Sequence, residues 1–207
     1  IVKPRNRIDI NIEVDEGKSA EIKKINIIGN EIYTNEELID GFELSEGSFF
    51  SFLSNDNQYS REKLKGDIET LESFYRDRGY LKFSIESSQI SLSRDKKSIF
   101  ITFNVNEGKK YKINDVDVIG EVPFDEEVYI DIVGRLKDTT YSQAAITSIE
   151  EFFTNVLGNR GYAFAEVTGN PEIKEETNEV KLIFAVEPGN RTYTRKILFT
   201  GNDITQD

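Results

Sequence analysis

The chain of 207 residues contains no cysteine and no histidine. Without cysteine it can form neither a disulfide framework nor a thiolate site. Without histidine, nucleophilic catalysis by serine lacks its usual general base, and a zinc site would have only carboxylate ligands. These two absences leave little material for catalysis, so we expect no enzymatic activity, no metal site and no cofactor.

Long apolar runs and positive charge are also scarce. No stretch approaches the ~18 consecutive apolar residues that a transmembrane helix needs. The 26 basic side chains are outnumbered by 38 acidic ones, and the resulting formal charge of −12 repels phosphate backbones and anionic lipid surfaces. We therefore expect no nucleic-acid partner. The patterned 37% of hydrophobic residues instead indicates a soluble, folded protein.

Paired carboxylates are the remaining candidates for acid–base chemistry. They occur at residues 36–37, 126–127 and 175–176, each at an expected helix start or turn. Favourable interaction with the helix dipole and solubility explain such pairs without catalysis. The Asn-Asp-Asn stretch at 55–57 lacks the glycine and the bidentate glutamate of a calcium loop, so it does not change the expectation.

An internal repeat organises the rest of the sequence. Three runs of alternating apolar residues, at 8–14, 99–105 and 180–186, each end at a glycine turn. From one run to the next, a single offset relates all four apolar positions (99 − 8, then 180 − 99). An Arg-Gly-Tyr triplet at 78–80 returns at 160–162. The chain therefore contains two successive copies of one unit.

Helical spacing lies between the strand-like runs. Four apolar residues fall at positions i, i+4, i+7 and i+11 of one helix face: Leu64, Ile68, Leu71 and Tyr75. Ser60 can cap the start of this helix, and Gly79 can end it in the left-handed conformation. An equivalent helix is predicted from Ser142 to Gly161. A shorter helix begins at Thr34, which forms the capping-box pattern with Glu37.

Each unit thus has the order strand, helix, helix, strand, strand. This order predicts an α+β fold of tandem repeats in which two helices cover one face of a three-stranded mixed sheet. The expected strand order is first, third, second, which leaves the second strand at an exposed edge. The expected boundaries are 1–17 for the last strand of a preceding unit, 18–108 and 109–189 for two complete units, and 190–207 for the first strand of a following unit, over 194–199.

A difference in length predicts a β-bulge in the second strand of the first unit. Between the Arg-Gly-Tyr glycine and the turn glycine, the first unit is longer than the second by a single residue (108 − 79 against 189 − 161). In the first unit the apolar positions are odd-numbered up to Ile85 and even-numbered at Ile90 and Leu92, whereas in the second unit they stay odd. One inserted residue causes such a change of phase. We place it between Ser87 and Gln89.

Four strings, in this order, resemble POTRA repeats: INIIGN, DIETLESFYRDRGY, FITFNVNEGKKYKI and GNRTYTRKILFTGND. The similar proteins are bacterial factors that assemble β-barrels into the outer membrane, and the two complete units look like their third and fourth repeats. The resemblance implies a periplasmic segment of an outer-membrane protein with a C-terminal membrane barrel. It also implies accessory assembly lipoproteins and unfolded outer-membrane proteins as partners. Related secretion transporters carry the same repeats and remain an alternative.

The leading functional hypothesis is a protein-binding scaffold that takes up a partner segment by β-augmentation. The expected site is the bulged edge strand of the first unit: Ile85, Glu86, Ser87, Ser88, Gln89, Ile90, Ser91 and Leu92. We expect the bulge to release Ile90 and Leu92 from the helix-covered face. Three alternatives stay open: an enzyme or metal domain, a passive spacer with blunted edges, and a role for Ile90 and Leu92 only in closing the core.

Overall fold

The structure is a computed structural model that describes residues 20–46, 59–121 and 126–198. The strand expected at 8–14 and the Asn-Asp-Asn stretch at 55–57 lie outside the described residues. No helix within these three ranges is long and apolar enough to cross a membrane.

In the described ranges, ten helices and strands follow one another in two equivalent sets of five. The first set consists of β1 (Glu21–Ile28), α1 (Asn35–Ile39), α2 (Arg61–Arg76), β2 (Ser84–Leu92) and β3 (Ser98–Asn106). The second set consists of β4 (Lys112–Gly120), α3 (Glu126–Leu136), α4 (Gln143–Asn159), β5 (Glu166–Lys174) and β6 (Glu179–Glu187). The predicted α+β fold and its order of elements are confirmed.

Each set builds its own three-stranded sheet, in the orders β1-β3-β2 and β4-β6-β5. The first and last strands of each set pair parallel, and the last two pair antiparallel. This arrangement follows from the short β2–β3 and β5–β6 turns, which force neighbouring strands to be antiparallel, while the helix pair carries the longer parallel crossover. The middle position of β3 and β6 leaves two edge strands in each sheet.

Apolar alternation places each core between one sheet face and the long helix. In the middle strands, buried residues alternate with partly exposed ones. The predicted inward face of α2 is confirmed, because Leu64, Leu71 and Tyr75 are buried and Ile68 packs against the same core. In α4 the equivalent positions Ile146, Phe153 and Leu157 are buried in the second core. Two separate cores therefore support two separate sheets.

The predicted helix starts and stops are also present. The hydroxyl of Ser60 accepts from the N–H of Lys63 at 3.4 Å, and Ser142 caps α4 in the same way. The N–H of Thr34 donates to the Glu37 carboxylate at 2.8 Å, which completes the capping box of α1. Gly79 has a φ of 99° just after α2, a conformation that a side chain would strain.

The strand expected over 194–199 is not formed in the part of the chain that is described. Residues 190–198 have neither helical nor strand conformation. Apolar alternation alone does not make a strand, because its backbone groups need a paired neighbour, and the two sheets use only the six strands given above.

The junction between the two sets is tied by backbone hydrogen bonds. The N–H of Tyr111 donates to the carbonyl of Gly79 at 2.9 Å, and Thr192 repeats this bond to Gly161 at 2.7 Å. The carboxylate of Asp77, at the end of α2, accepts from the N–H of Ala144 in the first turn of α4 at 2.8 Å. The first unit thus helps to cap a helix of the second.

Replacing Asp77 with alanine should loosen this junction. The variant removes the acceptor of Ala144, while Ser142 still caps α4, so the expected loss of unfolding free energy is at most about 1 kcal/mol. Residual dipolar couplings should then fit separate alignment tensors for the two sheets better than one common tensor. Glu69→Ala, an exposed site on α2, is the matched control. A single common tensor in Asp77→Ala would contradict the expectation.

Candidate protein-binding edge of the first unit

The β-bulge predicted in β2 is present, but its predicted place was wrong. Ile85 lies opposite Val105 and Ser87 lies opposite Asn104, the next residue along β3, so Glu86 is the extra residue. The change from odd-numbered to even-numbered apolar residues shows only that the inserted residue lies between Ile85 and Ile90. Backbone pairing with β3 decides where in that interval the extra residue falls.

The expected effect of the bulge on Ile90 and Leu92 was also wrong. Ile90 lies opposite the buried Ile101, and Leu92 lies opposite Ile99. Directly paired residues of antiparallel strands point to the same face of the sheet. Because Glu86 is an extra residue in the strand, the even-numbered Ile90 and Leu92 point to the same side as the odd-numbered Ile85, which is the helix side.

Although they lie on the helix side, these two side chains are not covered. Ile90 is 46% exposed and Leu92 is 53% exposed, whereas Ile85, earlier on the same strand, is partly buried against the core. Helix α4 packs against β5 in the second unit, whereas α2 makes no comparable contact with β2. The helix side of β2 therefore presents a short apolar strip, which we call the β2 strip (Ile90 and Leu92).

The backbone of β2 alternates between groups that bond β3 and groups that point away from the sheet. At the end of the strand, the N–H of Ser93 donates to the carbonyl of Ser98 at 2.8 Å. Because inward and outward residues alternate along an antiparallel strand, the polar groups of Leu92, Ile90 and Ser88 point outward. Within the described ranges, no other group bonds their N–H groups.

Both ends of β2 are held in place. At its start, the ring of Phe83 stacks on Tyr75 with 4.1 Å between centroids, and the Tyr75 hydroxyl donates to Glu107 at 2.7 Å. Burial and this hydrogen bond raise the pKa of Tyr75 above its usual range, so the hydroxyl stays protonated as a donor. At the other end, Asp95 accepts a hydrogen bond from the Ser93 hydroxyl, which lowers the pKa of Asp95.

The other edge strand of the first sheet, β1, has an outward N–H that is already bonded. The N–H of Ile25 donates to the carboxylate of Glu46 at 3.0 Å. A side chain from the segment between the helices thus occupies a position that an added strand would need.

The β4 edge of the second sheet is covered by backbone. Ile113 donates to the carbonyl of Thr139 at 2.8 Å and accepts from Asp138 at 2.7 Å. A further bond joins the N–H of Tyr141 to the carbonyl of Tyr111 at 3.1 Å. The start of β4 therefore already has a partner on its outer side.

The β5 edge is closed by two different devices. The N–H of Gly169 points away from β6 and donates to the carboxylate of Glu150, on α4, at 2.6 Å. The next residue of β5 whose backbone points away from β6 is Pro171, which has no N–H group. Of the four sheet edges in the described chain, β2 has three successive outward donors without a protein partner, at Ser88, Ile90 and Leu92, whereas each of the other edges has at least one outward position that is bonded.

Two further features bear on the alternative of an enzyme or metal domain. A cleft of about 320 Å³ lies at the junction and is lined by Lys82, Asn106, Gly108, Lys109, Tyr111 and Glu175. Lys82 and Glu175 form an exposed ion pair across it. In the portion of the chain that is described, no group of three or more histidine, aspartate or glutamate side chains is placed to hold a metal ion.

Sequence reasoning missed the residues that close the other edges. Pro171 carries a readable signal, because proline inside a strand belongs at an unpaired edge. Glu46 and Glu150 carry none, since their partners lie 21 and 19 residues away along the chain. The site residues proposed from the sequence, 85–92, lie together on one strand.

Comparison with protein-family models gives two matches, at residues 20–108 and 111–189, to POTRA, described as a surface antigen variable number repeat. Among curated relatives, the chain is 32% identical over 204 residues to the outer membrane protein assembly factor BamA of Neisseria meningitidis serogroup B, covering 98% of this chain and 26% of that protein. It is 30% identical over 207 residues to BamA of Buchnera aphidicola, covering 100% of this chain and 34% of that protein. The chain thus spans about a third or less of these relatives.

A solved structure has the same arrangement of elements. The crystal structure of Haemophilus influenzae BamA POTRA3-5 matches with a TM-score of 0.75 and 22% identity, covering 95% of this chain and 77% of that one. At this identity the likeness concerns the fold. Together with the two family-model matches, which cover most of the sequence, it leads to one conclusion: the chain belongs to the POTRA family.

Proposed function

We propose that this chain is a periplasmic protein-binding scaffold of an outer-membrane protein assembly machine. The names of the BamA relatives support the assembly role, and the β2 edge supports the binding mode. Unfolded outer-membrane proteins and accessory assembly lipoproteins are the partners. The site comprises residues 85–92, and binding takes place without catalysis.

The open edge of β2 is the observation that carries this proposal. Unpaired strand edges invite pairing with another chain, and proteins usually blunt them with charge, proline or a cover. The other three edges have such protection at Glu46, at residues 138–141, and at Glu150 with Pro171. The β2 edge thus differs from the other three, each of which has an outward position that the protein itself bonds. This difference disfavours a passive spacer.

The geometry of β2 also indicates which ligand fits. An added strand would form main-chain hydrogen bonds with Ser88, Ile90 and Leu92, and these bonds require no particular sequence. Alternate side chains of the ligand would lie beside the β2 strip on the helix side. Strands of outer-membrane barrels alternate apolar and polar residues over about 10 positions, so they match both demands.

The same proposal sets the domain organisation. Residues 18–108 and 109–189 form two complete repeats, corresponding to the third and fourth of an assembly factor. Residues 1–17 and 190–207 belong to the preceding and following repeats. The two family-model matches and the two separate cores support this division.

Changing Leu92 to aspartate should weaken ligand binding at least tenfold, about 1.4 kcal/mol or more, because a charge then lies in the β2 strip. The melting temperature should hardly change, since Leu92 is 53% exposed. The measurement is fluorescence anisotropy with a labelled peptide of alternating valine and threonine, as long as one barrel strand. The matched control is Ile173→Asp, at the equivalent position of β5.

A loss of stability in Leu92→Asp, with binding intact in the folded fraction, would show that Leu92 belongs to the core. An equal loss of binding in Ile173→Asp would show that β2 is not the specific site. Either result would remove the support for strand addition at this edge.

Replacing Ile90 with proline tests the backbone contribution separately. The N–H of Ile90 points outward, so its loss breaks no bond to β3, and Pro171 already occupies the equivalent place in β5. We expect a stable protein that binds the same peptide at least tenfold more weakly, whereas Ile90→Ala, which keeps the N–H, should lose less. Equal losses in the two variants would mean that side-chain contact alone accounts for binding.

A further inference from the structure

The two repeats are built in the same register, so their edge strands can be compared position by position. Ser88 and Gly169 lie opposite the equivalent phenylalanines of β3 and β6. Further along the same rows, Ile90 corresponds to Pro171, and then Leu92 corresponds to Ile173. The repeats differ in residue type at the first two of these positions in ways that bear on access to β5.

Gly169 allows α4 to lie directly on the edge strand. A Cβ atom at this position would stand 2.6 Å from Cγ2 of Ile146, which is closer than real Cβ atoms come without a shift, and a tight 3.0 Å from the Phe184 ring. Ser88 carries a Cβ atom at the equivalent position. The first repeat therefore has no such close approach between helix and edge strand, and the β2 strip stays open.

The carboxylate that bonds the β5 edge is also specific to the second repeat. Glu150 holds in α4 the position that Ile68 holds in α2, because the offset between them is that of the two Arg-Gly-Tyr triplets (150 − 68 = 160 − 78). The Glu150 carboxylate accepts from the N–H of Gly169 at 2.6 Å, and such charge-assisted bonds are stronger than neutral ones. Ile68 has no acceptor, so the outward N–H groups of β2 stay available.

We infer that Glu150 and Pro171 are specificity-determining residues that close the second repeat and so direct an incoming strand to β2. The inference rests on the proposed function, because it explains which repeat receives the ligand. Glu150 acts by occupying the hydrogen bond that an added strand would need at Gly169. Pro171 acts by removing the next donor of the same row. The two devices together leave an incoming strand too few backbone partners at β5.

The test moves the binding site from one repeat to the other in the whole 207-residue chain. The background variant is Ile90→Pro, which closes β2. Adding Glu150→Ile and Pro171→Ile gives β5 the residue types found at the equivalent places of the first repeat. The probe is the labelled peptide of alternating valine and threonine. We expect the triple variant to bind it at least tenfold more tightly than the background, with NMR shift changes at residues 167–173.

A second measurement examines the closure without any ligand. Glu150→Ala should speed hydrogen exchange of the Gly169 amide at least tenfold, whereas Glu150→Gln, which keeps an acceptor oxygen, should change it less. Glu151→Ala, at the next position along α4 and exposed, is the control and should leave the rate unchanged. This measurement decides the role of Glu150 even if the triple variant folds poorly.

The outcomes separate this inference from the proposed function. If wild-type protein binds the peptide at β2 and the folded triple variant gains nothing, the inference is overturned and the proposed function stands. If wild-type protein does not bind, the proposed function fails, and the ligand selection inferred from it fails too. If Glu150→Ala leaves the exchange of Gly169 unchanged, Glu150 does not close the edge, whatever the peptide does.

Discussion

Every strand edge carries backbone donors and acceptors that must be bonded by water, by protein or by a partner, and this constraint governs the molecule. Each three-stranded sheet has two edge strands, so the two sheets have four edges. In the described chain three edges have outward positions that are bonded by the protein's own groups: a glutamate side chain at β1, backbone at the start of β4, and Glu150 at β5. The binding site proposed at β2 follows from this difference between the edges.

The two repeats share one core architecture but differ in whether the outward N–H groups of their second strands are bonded. Their middle strands and long helices bury equivalent positions, and the junction bonds at Gly79 and Gly161 are equivalent too. The residues proposed to control binding lie at positions outside either core, such as Ile90 and Pro171. A repeat can therefore gain or lose an open edge without rebuilding its fold, and tandem repeats can divide binding and support between them.

The sequence was sufficient to predict the repeat, the order of elements and the sheet topology, because alternation and helical spacing are local patterns. It also predicted a bulge in β2 from a change of phase, but it placed the bulge beyond Ser87 rather than at Glu86 and misjudged the side that Ile90 faces. Those two properties depend on pairing with β3, which no local pattern records. The bonds of Glu46 and Glu150 were missed for the same reason, since they join elements that meet only in the folded chain.

The bulge provides a physical reason for the position of the β2 strip on the helix side. One extra residue changes the phase of a strand, and Glu86 precedes Ser88, Ile90 and Leu92, whose backbone polar groups point away from β3. The strand thus keeps Ile90 and Leu92 on the helix side. In β5, pairing with β6 continues without a shift, and Ile146 of α4 lies against Gly169. The insertion of one residue therefore accounts for the side of the sheet on which Ile90 and Leu92 lie, while Ser88 in place of Gly169 accounts for the lack of a close helix there.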